Sequence, residues 1–250
     1  MEILTVTGLT HSYDGVCAVA DVTFTMNAGE RVAIIGPNGA GKTTLLNCLA
    51  GSPPPAGGVI HFHGRDITTT ATHRRAGMGI ARSFQAASVL QGLSVHENAM
   101  LAAMGRRRER YRTVRPLRGY REVADEALAL LEWAQLKDRR NEAAGTLAYG
   151  EQRRLEVALA LAGKPSLYLL DEPSAGLTRE ETRAVADIIL GFPRDVGVIV
   201  VDHDMDLVFS VAMRVIVMDR GRLVADGSAE EIYNDAIVRR AYLRRTPHGA

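Results

Sequence analysis

At 250 residues the chain has the length of one large α/β domain, or of a core domain with a subdomain, and 46% hydrophobic against 24% charged residues makes it globular rather than disordered. A net charge of +1 excludes a global field for nucleic acid, so any basic contact surface has to be local. The two cysteines, Cys17 and Cys48, build neither a disulfide framework nor a zinc site and fit a reducing compartment; no secretory signal is expected, and no apolar run reaches the roughly 20 residues of a membrane-spanning helix.

Residues 1–31 alternate in polarity through Ile3, Val6 and Leu9, then Val22, Phe24 and Met26. This predicts two or three antiparallel strands around a turn at Asp14 and Gly15. Tyr13, just before that turn, could stack on a purine face or be an ordinary strand-end tyrosine. The stretch 32–44 then runs from an apolar strand through a glycine-rich turn into Lys42, Thr43 and Thr44. Gly36, Gly41, Lys42 and Thr43 fit the spacing G-x-x-x-x-G-K-S/T. Glycines let backbone N–H groups curl round a phosphate chain, and the helix that follows points its positive end at the same anion. Lys42 would reach the terminal phosphates and the Thr43 hydroxyl would ligate Mg²⁺. The loop therefore reads as a nucleoside triphosphate site.

A short helix is expected from Thr43 to Ala50, stopped by Gly51 and Pro53 to Pro55, followed by a strand between Gly58 and Gly64. His61 and His63 are expected on one face of that strand; with no third ligand they read as a solvated face. Another strand is predicted over Gly77 to Gln85. From Leu93 to about Gly163 the pattern is helical, with a capping box at Ser94 and Glu97 and an amphipathic segment from Ala124 to Leu136 carrying Leu128, Leu131 and Trp133. An arginine-rich stretch between Gly105 and Gly119 reads as a solvated face, with a headgroup, partner or nucleic-acid contact as alternatives.

Residues 144–156 lead into an Ala/Leu-rich helix ended by Gly163, Lys164 and Pro165. Leu167 to Pro173 reads as a fully buried strand with two adjacent carboxylates, Asp171 and Glu172, at its exit, and Val198 to His203 repeats the plan. Ligands of open parallel sheets bind beyond the carboxyl ends of the strands, so the loop, Asp171, Glu172 and His203 are expected along one edge. There Asp171 can hold Mg²⁺ through water and Glu172 can take a proton from an attacking water. The chain closes with a hairpin over Arg214 to Ala225, turning at Asp219 to Gly221, and a helix from Ala229 to about Arg245.

Together with Leu147 to Gln152 ahead of the carboxylate strand, these motifs resemble an ATP-binding-cassette (ABC) ATPase, in the expected order from Tyr13 to His203. The resemblance implies an α/β P-loop NTPase core with a mostly parallel sheet, an N-terminal antiparallel β subdomain and an inserted helical subdomain. It places 1–85 and 164–250 in the core with the β subdomain, and 86–163 in the helical subdomain. It also implies ATP and Mg²⁺ as cofactors. Tyr13 would stack on adenine, while Gly36, Pro37, Asn38, Gly39, Ala40, Gly41, Lys42, Thr43 and Thr44 form the Walker A loop. Gln85 would be the Q-loop glutamine, sensing Mg²⁺ and the membrane subunit. Ala148, Tyr149, Gly150 and Glu151 stand in the signature, which binds the ATP held by an opposite subunit. Thr43, Gln85 and Asp171 would serve the metal; Glu172, His203, Gln85 and Lys42 would serve hydrolysis; Ser174 to Leu177 resembles the D-loop.

Closer likeness is to the branched-chain amino-acid importer branch, through residues 79–85, 147–156, 202–205 and the tail 240–243. It implies a motor subunit, cytoplasmic and peripheral on the inner membrane face. Its partners would be a second cassette, identical or not, transmembrane permease subunits and, indirectly, an extracytoplasmic solute-binding protein, with no nucleic acid. Two departures stand out: Ala148 replaces the usual signature serine, and Thr178 stands where the D-loop commonly has Asp. They imply pairing with a non-identical cassette and two unequal ATP sites. A soluble ABC ATPase acting on nucleic acid or ribosomes is the alternative, supported only by the arginine-rich stretch. A helicase or small GTPase has no role for Leu147 to Gln152 or His203.

Overall fold

The computed structural model describes residues 1–82, 89–105 and 121–235, together with Val238. In chain order these form β1 (Glu2–Tyr13), β2 (Val16–Asn27), β3 (Arg31–Ile35), α1 (Lys42–Ala50), β4 (Gly57–Phe62), β5 (Arg65–Asp66), α2 (Thr72–Met78) and β6 (Ile80–Arg82). Then come α3 (Val95–Met104), α4 (Arg121–Trp133), α5 (Tyr149–Leu161), β7 (Leu167–Asp171), α6 (Arg179–Leu190), β8 (Gly197–Val201), α7 (Met205–Val211), β9 (Arg214–Asp219), β10 (Arg222–Ser228) and α8 (Ala229–Asn234). They fall into two compact units: Met1–Ile80 with Ser166–Ala175 and Pro193–Ala250, and Ala81–Pro165 with Gly176–Phe192.

The first unit is built on two sheets. The β1–β2 hairpin turns at Asp14 and Gly15, both at positive φ, and belongs to a four-stranded antiparallel sheet ordered β2-β1-β4-β5. The second sheet runs β10-β9-β3-β8-β7-β6, with β3 parallel to β8 and β9, and β7 parallel to β8. Strands covered on both faces read as unbroken apolar runs, because successive side chains enter different layers. Val32 and Ile34 share one core with Leu45, Leu46 and Leu49 of α1 and with side chains of β1 and β2. Ala33 and Ile35 point the other way, into a core with Val208 of α7 and Ile232 of α8.

The second unit is helical. Ser94 caps α3, its hydroxyl accepting from the Glu97 amide at 3.1 Å while the Glu97 carboxylate accepts from the Ser94 amide at 2.9 Å. Val123, Ala127 and Leu131 repeat along the buried face of α4 and pack with Val95, Ala99 and Leu155. Leu128 and Trp133 are half-buried, and Trp133 lies against Phe192. No helix of the described residues is long and apolar enough to cross a membrane.

Four expectations change. The strand predicted over Gly77 to Gln85 is shorter, because Gly77 and Met78 complete α2 and Gly79, at φ 104°, caps that helix before the strand starts at Ile80. Gln85 lies outside the described residues, as does most of the arginine-rich stretch. His61 and His63 do not share a strand face, since β4 ends at Phe62 and His63 sits in the following turn at φ 49°. The final helix stops at Asn234, where Asp235 turns extended; its expected continuation to Arg245 falls outside the described residues, Val238 excepted. Lastly, Gly176–Phe192, expected with the core, groups with the helical unit. There α6 lies so close to α5 that a side chain at Gly150 would strike Glu181.

Candidate functional site

Between β3 and α1 the backbone turns through Gly36 (φ 147°), Gly39 (φ 78°) and Gly41 (φ 97°). The glycines have steric as well as conformational reasons: a Cβ at Gly36 would meet the Met218 carbonyl, and one at Gly41 the Ala18 carbonyl. The turn of the β9–β10 hairpin braces the loop from outside, with the Gly221 amide donating to Ala40 O at 3.0 Å and Gly221 O accepting from the Ala20 amide at 2.8 Å. Gly41 is the N-cap of α1 and offers no side chain to bond the first turn, which suits amides meant for an anion. Lys42 Nζ donates to the carbonyls of Gly36 at 2.8 Å and Pro37 at 3.0 Å, folding its charge back over its own loop. Burial lowers the Lys42 pKa from the ordinary lysine value, against the opposing pull of Glu172 and Asp171.

A cleft of ≈ 460 Å³ opens over this loop, lined by Asn38 to Thr44, by Ala18 of β2 and by Glu172. Asp171, the last residue of β7, is 1% exposed, and the Thr43 hydroxyl donates to its Oδ1 at 3.5 Å. A hydroxyl and a buried carboxylate meeting beside a phosphate loop are hard oxygen donors of the kind Mg²⁺ takes, so these two residues fit that ion. Glu172 follows in the left-handed region at φ 48°, with its amide donating to Val201 O at 2.7 Å. That turn carries Glu172 out of the strand and into the wall of the cleft.

Beyond β8, Asp202 is almost wholly buried, and its carboxylate accepts from the amides of Ser174, His203 and Asp204 and from the Ser174 hydroxyl. His203 follows with a side chain 67% exposed and is not in the cleft wall. Tyr13, at the end of β1, is also exposed and outside the cleft wall; His11 packs edge-on against its ring, with centroids 4.7 Å apart. The structure thus brings together the loop, Asp171 and Glu172.

Ala148, Tyr149, Gly150 and Glu151 lie in the second unit, at the start of α5. Ala148 is the N-cap position; its amide donates to Glu151 Oε2 at 3.0 Å, and it has no hydroxyl to accept the reciprocal bond. Tyr149 is exposed and Gly150 buried, the latter for lack of room beside Glu181. Thr178 caps α6 in a full capping box with Glu181. Sequence reasoning missed Ala18, Gly221 and Asp202. The first two act through main-chain atoms that leave no residue signature, and the third looks like one more polar residue at a strand end.

The family model of ABC transporters matches residues 19–175. BraF of Pseudomonas aeruginosa, a high-affinity branched-chain amino acid transport ATP-binding protein, is 38% identical over 248 residues, covering 96% of this chain and 97% of BraF. LptB of Escherichia coli, a lipopolysaccharide export system ATP-binding protein, is 36% identical over 247 residues, covering 97% and 98%. A solved ATP-binding cassette of an ABC transporter in its ADP conformation has a TM-score of 0.85 at 25% identity, covering 97% of this chain and 99% of its own. With most of the sequence inside that model and full-length relatives above a third identity, the chain belongs to the ABC transporter family.

Proposed function

We propose that this chain is the ATP-binding and ATP-hydrolysing motor subunit of an ABC importer for branched-chain amino acids or related small polar solutes. One observation carries the reading: a cleft in which the phosphate loop from Asn38 to Thr44 faces Glu172, with Asp171 beside Thr43. The loop amides and the N-terminal end of α1 take the phosphates, and Lys42 exchanges its own loop carbonyls for their terminal oxygens. Thr43 and Asp171, with Gln85 as a further ligand, would hold Mg²⁺, which would supply neutralisation of the phosphate charge. Glu172 takes the proton of the attacking water and His203 contacts the γ-phosphate, while Tyr13 stacks on the adenine.

The signature residues Ala148 to Glu151 serve ATP held by a second cassette, so the working unit is a pair of cassettes, identical or not. The pair sits on the cytoplasmic face of the membrane against permease subunits, with a solute-binding protein acting through them and no nucleic acid involved. The likeness to BraF supports the branched-chain amino acid assignment. The likeness to LptB supports a second reading, a motor for export. In reconstituted membranes, stimulation of ATPase activity by an amino-acid-loaded binding protein selects the first, and stimulation by lipopolysaccharide the second.

The core of the proposal is tested by Glu172→Gln, which keeps the side-chain volume and removes the base. ATP binding should stay within about twofold of wild type while steady hydrolysis falls by about a hundredfold or more. Hydrolysis at the wild-type rate would remove Glu172 from the chemistry.

A further inference from the structure

The Asp202 carboxylate is 1% exposed. A carboxylate taken out of water is tolerated where donors replace its hydration. Here its Oδ1 accepts from Ser174 Oγ at 2.7 Å, the His203 amide at 2.7 Å and the Asp204 amide at 2.9 Å, and its Oδ2 accepts from the Ser174 amide at 3.0 Å. The His203 ring stands near by, with Nδ1 3.7 Å from Oδ1.

These donors belong to two loops. Ser174 lies two residues beyond Glu172, and His203 is the next residue after Asp202. The Glu172 amide is tied to the same strand end, donating to Val201 O at 2.7 Å. Glu172 is therefore bracketed by two attachments to the end of β8 while it occupies the left-handed region at φ 48°. A residue other than glycine stays there only when its surroundings over-determine it, and such positions gather at functional sites. One buried carboxylate thus holds the loop of the base and the backbone of the histidine in a common frame.

We propose that Asp202 is a positioning residue for ATP hydrolysis, fixing Glu172 and His203 relative to one another through Ser174 and the His203 amide without touching the nucleotide. The inference rests on the roles proposed above for Glu172 and His203. In Asp202→Asn one oxygen becomes an NH₂ group, so whichever way the amide turns, at least one donor faces another donor. Ser174→Ala removes a single bond, and Ser174→Thr keeps the hydroxyl that makes it.

The test is steady-state hydrolysis by the full chain, with ATP affinity and thermal unfolding measured on the same preparations. Asp202→Asn should lower kcat about tenfold or more with KM and ATP affinity within about twofold. Ser174→Ala should lower kcat by less, Ser174→Thr should restore it, and Ser174→Ala should cost little further in the Asp202→Asn background. A wild-type kcat in Asp202→Asn overturns the proposal, as does a loss that Ser174→Thr shares with Ser174→Ala. If Asp202→Asn does not fold, the Ser174 pair decides: rescue by threonine supports the proposal, and a wild-type kcat in Ser174→Ala overturns it. Glu172→Gln separates the two levels. With that variant inactive, a failure belongs to Asp202 alone; with it active, or with wild type inactive both alone and beside a serine-bearing cassette, the reading beneath has failed and takes the inference with it.

Discussion

Arg75 is 1% exposed, and its guanidinium donates to main-chain oxygens alone. Nη1 reaches Cys48 O at 2.7 Å and Leu49 O at 2.8 Å, in the last turn of α1; Nη2 reaches Ile67 O and Thr68 O, and Nε reaches Thr70 O. The full fork of donors is used, and the charge sits at the carbonyl end of the phosphate-loop helix, where the helix dipole favours it. Burial lowers the Arg75 pKa, and it pushes the neighbouring Cys48 thiol up to about 11 although Arg75 pulls the other way. Lysine has three donors and no fork, so Arg75→Lys should strand at least two of these five carbonyls and destabilise the protein by about 2–4 kcal/mol in denaturant unfolding. A loss below about 1 kcal/mol would mean that water replaces the missing donors. At this scale the turn from β3 into α1 was legible because glycines and a lysine stand there at fixed spacing. Arg75 was not, because its partners are carbonyls, which every residue has. Asp202 was hidden for the same reason, with amides in place of carbonyls.

Three of the described helices start in a shared way. Ser94 with Glu97, Thr178 with Glu181 and Ser228 with Glu231 each form a complete capping box at α3, α6 and α8. At α5 the pattern is Ala148 with Glu151, and only the Glu151 half is made. The serine missing from the signature is therefore also a missing helix cap, a cost independent of any contact to a partner's phosphate. Ala148→Ser should supply the hydroxyl to the α5 amides, adding about 1 kcal/mol and raising the unfolding midpoint by about 2–4 °C without nucleotide. On the proposed function it should also raise turnover in the assembled transporter. A midpoint gain with unchanged turnover would confine Ala148 to capping, and an unchanged midpoint would refute the cap argument. Buried strands were the most legible elements, since β7 is apolar up to its last residue, Asp171, and β8 is apolar throughout and is followed directly by Asp202. The helix α2 was not, because it has no side-chain cap and its apolar residue Met78 runs on into Ile80 across the Gly79 stop, mimicking one longer strand.

Across the whole molecule, the phosphate-loop cleft belongs to the first compact unit and Ala148 to Glu151 to the second. The order of motifs along the chain implied both parts. It did not reveal that α6 groups with the helical unit, because that follows from the close approach of α5 and α6 at Gly150 and Glu181, far apart in sequence. On the proposed function neither unit suffices alone: the cleft needs a signature, and the signature of one copy serves the cleft of another. Tyr149 is 58% exposed beside the buried Gly150. Hydrolysis would normally release the pair, so the association should be captured when the base is removed. Glu172→Gln with ATP and Mg²⁺ should shift the chain in light scattering from its 27.1 kDa mass to twice that value, and ADP should not. Lys42→Ala introduced into the same variant should abolish the shift by weakening the hold on the terminal phosphates. If the Ala148 signature is too weak to close on an identical copy, Glu172→Gln stays monomeric alone and pairs only when a serine-bearing cassette is added, and Ala148→Ser then restores self-association. A chain that stays monomeric in every one of these mixtures, while still binding ATP, would break the link between the signature and the cleft.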